Sequence, residues 1–178
     1  MQESIGLAVI GLGRVAHSHI DAIRHWGERC RLAAVVDIDE ERARSASEEY
    51  GVSYYTDSDK AYTDPEIDAV VICVPHHLHA SLAIDAMEAG NHVLVEKVMA
   101  TSVEEGERMV ETAADNDVNL MVSQSRRFFP SLREAKDRIG EIGRPLNIQY
   151  TFACHFDSDT APPWWRDEEK TGGLVYPM

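Results

Sequence analysis

At 178 residues the chain is long enough for one domain of about 100–150 residues plus a remainder, and 44% hydrophobic content suits a packed core. A net charge of −14 excludes a nucleic-acid partner held through phosphates, since the densest basic spot is only Arg126-Arg127. No apolar run of about 18 residues exists to cross a membrane, and the first apolar run starts too early for a secretory leader, so a cytoplasmic protein is expected.

The first element is the apolar run 5–10, the pattern of a strand buried on both faces of a parallel sheet. It breaks at Gly11-Leu12-Gly13-Arg14-Val15-Ala16. Gly11 permits a tight turn, and Gly13 lacks the Cβ that would keep backbone away from a pyrophosphate. A helix beginning near Arg14 then presents free N–H groups and its positive dipole end, making Gly11, Gly13, Arg14 and Val15 candidate dinucleotide contacts. Ala16 stands at the third position of the fingerprint, where a small residue lets helix and strand pack closely.

A second strand is expected over 32–36, ending at Asp37. Asp37 lies 24 positions after Gly13, near the spacing of about 20 for an acid that binds ribose hydroxyls. A carboxylate there also repels a 2′-phosphate, so NAD is favoured over NADP. The competing reading is that Asp37 merely ends the strand and caps the next helix. That helix covers 39–50, stopped by Gly51, and a short strand 52–55 follows. Asp57-Ser58-Asp59 caps a brief helix, and Asp64-Pro65 turns the chain into the buried strand 69–74. A helix 77–89, a strand 92–95, a helix 102–116 and a strand 119–122 complete six alternations of a doubly wound, Rossmann-type α/β fold.

Two segments at strand ends carry chemistry, because ligands of such folds lie outside the carboxyl ends of the strands. The first is Val74-Pro75-His76-His77-Leu78-His79, where His79 falls in the first helical turn with its ring able to face the crevice. At least one of His76 and His77 is expected on the surface. The segment does not complete a four-ligand set with metal-site spacing, so no metal is expected. The second is Glu96-Lys97. A lysine working as a base near pH 7 needs its pKa lowered from about 10.4 to roughly 7–8, which Glu96 opposes if it faces the ammonium. A solvated Glu-Lys pair is the competing reading. Cys30, Cys73 and Cys154 are widely spaced and odd in number, as in a protein of reduced thiols.

Beyond the sixth strand, 130–139 predicts a helix, and 146–156 alternates apolar and polar residues as one long strand. That strand must add to the first sheet, pair with another chain in a homo-oligomer, or belong to a further domain.

Taken together these motifs resemble the glucose–fructose oxidoreductase/inositol dehydrogenase/MocA (Gfo/Idh/MocA) family of NAD(P)-dependent oxidoreductases. Gly11 to Ala16 match its nucleotide loop, Val74-Pro75 with His79 its fourth-strand turn, and Glu96-Lys97 its Glu-Lys-Pro motif, with Val98 in place of the proline. Arg126 to Pro130 resemble the lead into its interdomain helix. Trp164-Trp165-Arg166 and Thr171-Gly172-Gly173 resemble the loop and glycine turn opening its second-domain site, with Pro177 where many members carry aspartate. The resemblance implies hydride transfer between nicotinamide and a hydroxyl carbon of a sugar, polyol or similar small molecule, with Lys97 as the catalytic proton-transfer residue. It also implies cofactor contacts from Val74, Pro75, His79, Glu96, Lys97, Trp165 and Arg166.

Residues 1–123 are thus expected to form an NAD(P)-binding domain, and 124–178 an interdomain helix and the beginning of an α+β substrate domain. Family members are roughly twice as long, so a full catalytic set is not expected within this chain. Two other functions fit parts of the pattern. A non-catalytic dinucleotide sensor acting through a partner would use the spare strand. A methyltransferase would share the glycine loop and Asp37 but leaves Pro75, His79 and Glu96-Lys97 without a role.

Overall fold

Six short strands form one parallel sheet in the order β3-β2-β1-β4-β5-β6, with β1 Ile5–Ile10, β2 Cys30–Val36, β3 Ser53–Tyr55, β4 Ala69–Ile72, β5 His92–Val95 and β6 Leu120–Val122. The computed structural model describes residues 4–149, 151 and 162–172. The six strands expected through residue 122 are present, β2 starting two residues early and β4 stopping at Ile72. Helices α1 (Arg14–His25), α2 (Glu40–Tyr50), α3 (Ser58–Tyr62), α4 (His79–Glu88) and α5 (Val103–Asp115) connect them. Among the described residues no helix is long and apolar enough to cross a membrane.

Strand pleating divides the core between the two faces. Val9, Val35 and Val71 pack with Ala16, Ile20 and Ile23 of α1 and with Ala43 and Ala46 of α2. Ala8, Ile10, Val70, Ile72, Val93 and Val95 point the other way, onto Ala83 and Met87 of α4 and Met109 of α5. In β1 this is the period-two alternation of a strand, and the α1 residues recur at helical spacing. Fully burying a residue the size of Ile20 or Met87 contributes about 1.5–3 kcal/mol, and both have no exposed surface.

Helix ends follow the local chemistry of the sequence. The Asp39 carboxylate accepts the Arg42 N–H at 3.2 Å, Asp57 accepts that of Asp59, and Ser102 Oγ accepts that of Glu105. Glu105 reaches back to the Thr101 N–H at 3.0 Å and its hydroxyl at 2.8 Å. The expected helix 77–89 is divided: a 3-10 turn, His76–Leu78, precedes α4.

The described residues through Ser123 group with 164–172 in one compact unit, and a second unit lies within Gln124–Pro163. The first unit includes residues 164–166 of a 3-10 turn, Pro163–Arg166, and the short helix α7, Glu168–Thr171. The second holds a 3-10 turn, Ser125–Phe128, and helix α6, Pro130–Arg138, opened by its proline and followed by Ile139–Ile142 in 3-10 form. The long strand expected over 146–156 is not formed in its described part: residues 146–149 and Thr151 carry no strand, having no ladder partner among the described residues. Residues 150 and 152–156, with Cys154, and likewise Gly173 and Pro177, lie outside the described residues.

Candidate functional site

Strand register brings the candidate segments together. Ile10 stands beside Val36 on one side and Ile72 on the other, and Ile72 beside Val95. Gly11, Asp37, Val74-Pro75 and Glu96-Lys97 therefore leave the sheet at one edge, although up to 86 positions separate them in sequence.

Two glycines of the first loop do different work. Gly11 has φ +83°, and a Cβ there would lie 2.8 Å from both the Cys73 carbonyl oxygen and Val74 Cγ1. It is required by the chain itself. Gly13 has an ordinary φ of −72°, and a Cβ built on it meets no atom within 4 Å. The space a side chain would take is open, directly at the N-terminus of α1. That terminus has no side-chain cap and no acid in its first turn, and Arg14 and Val15 are exposed. An uncapped helix start with open approach is suited to an anion.

Asp37 is 6% exposed and its carboxylate faces this loop. It accepts the Leu12 N–H at 2.8 Å and the Asp39 N–H at 3.0 Å. Arg42 Nη1 also donates to both oxygens, at 3.0 and 3.1 Å. Sequence reasoning missed Arg42. Its signal is position: five residues after the acid, in the first turn of α2, where an i,i+3 pair with Asp39 at 3.3 Å holds it. The reading of Asp37 as a helix cap does not hold, because Asp39 is the cap of α2.

The turn after β4 is built on buried histidines. His79 has no exposed surface, and its ring lies between two carbonyls: Nδ1 at Val98 O, and Nε2 3.0 Å from Val74 O. The ring does not face an open crevice, as the sequence suggested; it pins the Val74 turn to the Lys97-Val98 turn, whose peptide is cis. His76 is also buried, packing edge-on against Trp164 with ring centroids 4.8 Å apart. Its Nδ1 lies 3.5 Å from Thr171 O. His77 is half-buried, so neither His76 nor His77 is the surface histidine expected, because 164–172 covers this turn. Arg14 lies over the Trp165 ring at 5.8 Å, bringing the 164–172 segment to the start of α1. Arg166 ends the same 3-10 turn. No cluster of three His, Cys, Asp or Glu groups suited to a metal occurs among the described residues.

Glu96 turns away from the open space. Its Oε1 lies 2.9 Å from His19 Nε2 on α1, and its Oε2 accepts the Lys97 N–H at 3.1 Å. Burial pushes the Glu96 carboxyl up, but bonds from His19, Ser123 and the Lys97 N–H outweigh it and hold it below its ordinary range. Half-buried Lys97 sits close enough to His76 and His79 for its charge to act on both.

Burial, the largest cause, lowers the pKa of His76 and of His79 below 6.5. The unfolded chain then binds more protons than the folded one below that value, so this stability is present above pH 6.5 and lost as pH falls through the folded-state values. Glu96, also depressed, adds a second loss below its ordinary 4.5. Thermal melts are expected to be flat above about pH 7 and to fall steadily below about pH 6.5; equal midpoints at pH 7 and 5 would contradict the burial of the two rings.

Residues 5–124 match the oxidoreductase family with NAD-binding Rossmann fold, GFO_IDH_MocA. The chain is 32% identical over 176 residues to myo-inositol 2-dehydrogenase of Thermotoga maritima, covering 97% of this chain and 51% of that protein. It is 34% identical over 149 residues to scyllo-inositol 2-dehydrogenase (NAD(+)) of Bacillus subtilis, covering 82% and 44%. The WlbA dehydrogenase of Bordetella pertussis, crystallised with NADH and UDP-GlcNAcA, superposes with a TM-score of 0.75 at 32% identity, over 78% of this chain and 42% of that one. The chain spans about half the length of the curated relatives it matches. With its six-stranded parallel sheet, glycine loop and Asp37, the chain belongs to the Gfo/Idh/MocA oxidoreductase family through that family's NAD-binding Rossmann domain.

Proposed function

We infer that this chain supplies the cofactor side of an NAD-dependent oxidoreductase acting on a hydroxyl carbon of a sugar, polyol or similar small molecule. The observation that carries the reading is the buried Asp37 carboxylate, bonded to the Leu12 N–H of the glycine loop beside the open space at Gly13. Residues 1–123 act as the cofactor domain and 124–178 as the beginning of a substrate domain. The names of the inositol dehydrogenases and of the NADH-bound WlbA structure support the substrate and cofactor classes.

In this reading Gly11, Gly13, Arg14 and Val15 receive the pyrophosphate on backbone N–H groups and the dipole end of α1. Asp37 accepts the adenosine ribose hydroxyls. Val74 and Pro75 form the wall of the cleft, and His79 acts by holding them. Trp165 borders the start of α1 beneath Arg14, and Arg166 is a further cofactor contact in this reading. Glu96 supports Lys97. A bound nicotinamide would supply hydride acceptance and donation; Lys97 would take the proton of the substrate hydroxyl and return it in the reverse direction.

Titration calorimetry with NAD and NADP tests the reading. Binding of NAD, with NADP weaker, is expected. Heat from neither would end the dinucleotide reading, and equal affinities would remove the discriminating role of Asp37.

A further inference from the structure

The first dinucleotide-binding helix and the lysine turn are tied by one side-chain bond. His19 Nε2 lies 2.9 Å from Glu96 Oε1, with the two side chains only 17% and 13% exposed. The residues are 77 positions apart, and no backbone ladder joins α1 to the end of β5. The other histidines of α1 do something else: His17 Nδ1 lies 3.2 Å from the Tyr50 hydroxyl, and His25 packs on Trp26. With Oε2 taken by the Lys97 N–H, the Glu96 carboxylate is committed on both oxygens.

We propose that His19 is a positioning residue: through Glu96 it fixes the Lys97 turn against the helix whose N-terminus faces the pyrophosphate space, and so sets where the nicotinamide half of a dinucleotide rests. The proposal builds on the NAD reading above. Its physical basis is the shielding of the pair. A hydrogen bond to a charged group, largely removed from water, holds geometry that an exposed pair does not. Without His19, Glu96 keeps only the bonds from Ser123 and the Lys97 N–H, and nothing ties its half-buried carboxylate to α1, so it can turn towards water or the Lys97 ammonium. Either movement shifts the residue that the reading above places beside the reacting carbon. The glycine loop and Asp37 are held by their own bonds, Leu12 N–H and Asp39 N–H to the Asp37 carboxylate, which do not involve His19 or Glu96.

The test separates the two halves of the cofactor. NADH carries nicotinamide; ADP carries the adenosine and both phosphates without it. For His19→Ala, NADH binding, read by nicotinamide fluorescence, is expected to weaken about tenfold, while ADP affinity by calorimetry stays within about twofold. His19→Gln, whose amide can donate to Glu96, is expected to restore most of the NADH affinity. Unchanged NADH binding in a folded His19→Ala chain would overturn the proposal, as would equal loss for NADH and ADP, the mark of a general loosening. Should His19→Ala not fold, Glu96→Gln takes its place, with the same split between NADH and ADP expected and the same two outcomes against it. Failure of the unsubstituted chain to bind NADH would instead overturn the dinucleotide reading, and this is visible before any substitution is made.

Discussion

A Gly13→Val chain is expected to stay folded, with its melting point only modestly lowered, yet to lose NADH by at least about 100-fold. The φ and ψ of Gly13, −72° and −176°, belong to the extended region open to any residue, and no atom lies within 4 Å of an added Cβ. The folded chain therefore has room for the added Cβ, and the loss of stability should stay within about 1 kcal/mol, the ordinary cost of valine at a helix N-cap. The open space, however, is where a pyrophosphate must approach the first N–H groups of α1. Losing two charge-assisted bonds of roughly 1.5–3 kcal/mol each produces the drop. Gly11→Ala is the contrasting variant. Its φ of +83° and the carbonyl of Cys73 at 2.8 Å make it unstable in the chain itself, by about 1–3 kcal/mol, so its NADH loss would come with a lower melting point. A fluorescence titration beside a thermal melt distinguishes the two. Full NADH affinity in Gly13→Val would place the phosphates elsewhere.

Removing the Asp37 carboxylate should change both affinity and coenzyme choice. Asp37→Ala strands the Leu12 N–H, a cost of about 1–3 kcal/mol, and takes away the acceptor for the ribose hydroxyls. It also leaves the Arg42 guanidinium, now held from Asp37 at 3.0 Å, without that counter-charge. NAD is expected to bind at least about tenfold more weakly, and the preference over NADP to vanish or reverse, because Arg42 then offers a partner to a 2′-phosphate. Asp37→Asn divides the effect: its amide oxygen can still accept the Leu12 N–H, so less stability is lost, but the charge that repels a 2′-phosphate is gone. Arg42→Ala should act in the opposite direction and sharpen the choice of NAD. Its side chain is 52% exposed, so the change in stability should be under about 1 kcal/mol. Calorimetry of the three variants with both coenzymes reads the pattern. Unaltered discrimination in Asp37→Asn would leave Asp37 as a support for the glycine loop alone.

Much of the fold was legible because it rests on local rules. The apolar run 5–10, the αL glycine Gly51 after α2 and the cap Asp57 each need only a few neighbours to specify them. Asp37 was legible for another reason: the distance from a glycine loop across one helix to the end of the next strand varies little, so spacing stands in for geometry. The histidines were not legible in the same way. Nothing near His79 in sequence shows that Val98 O closes one side of its ring, and nothing near His76 announces Trp164 and Thr171, which follow some 90 residues later. His19 and Arg42 were passed over because polar residues on amphipathic helices usually face water, and only their partners mark them out.

By itself, then, the order of residues determined six strand–helix alternations, the anion-accepting loop and the acid that follows it, since strand burial, glycine backbone freedom and helix capping act over a few positions. Only the tertiary structure decided that β4 ends beside β1 and β5 beside β4, that Glu96 turns to His19, and that His79 is enclosed between two turns. Those outcomes depend on which faces meet across the sheet, and a side chain's partner there is set by packing between segments far apart in the chain.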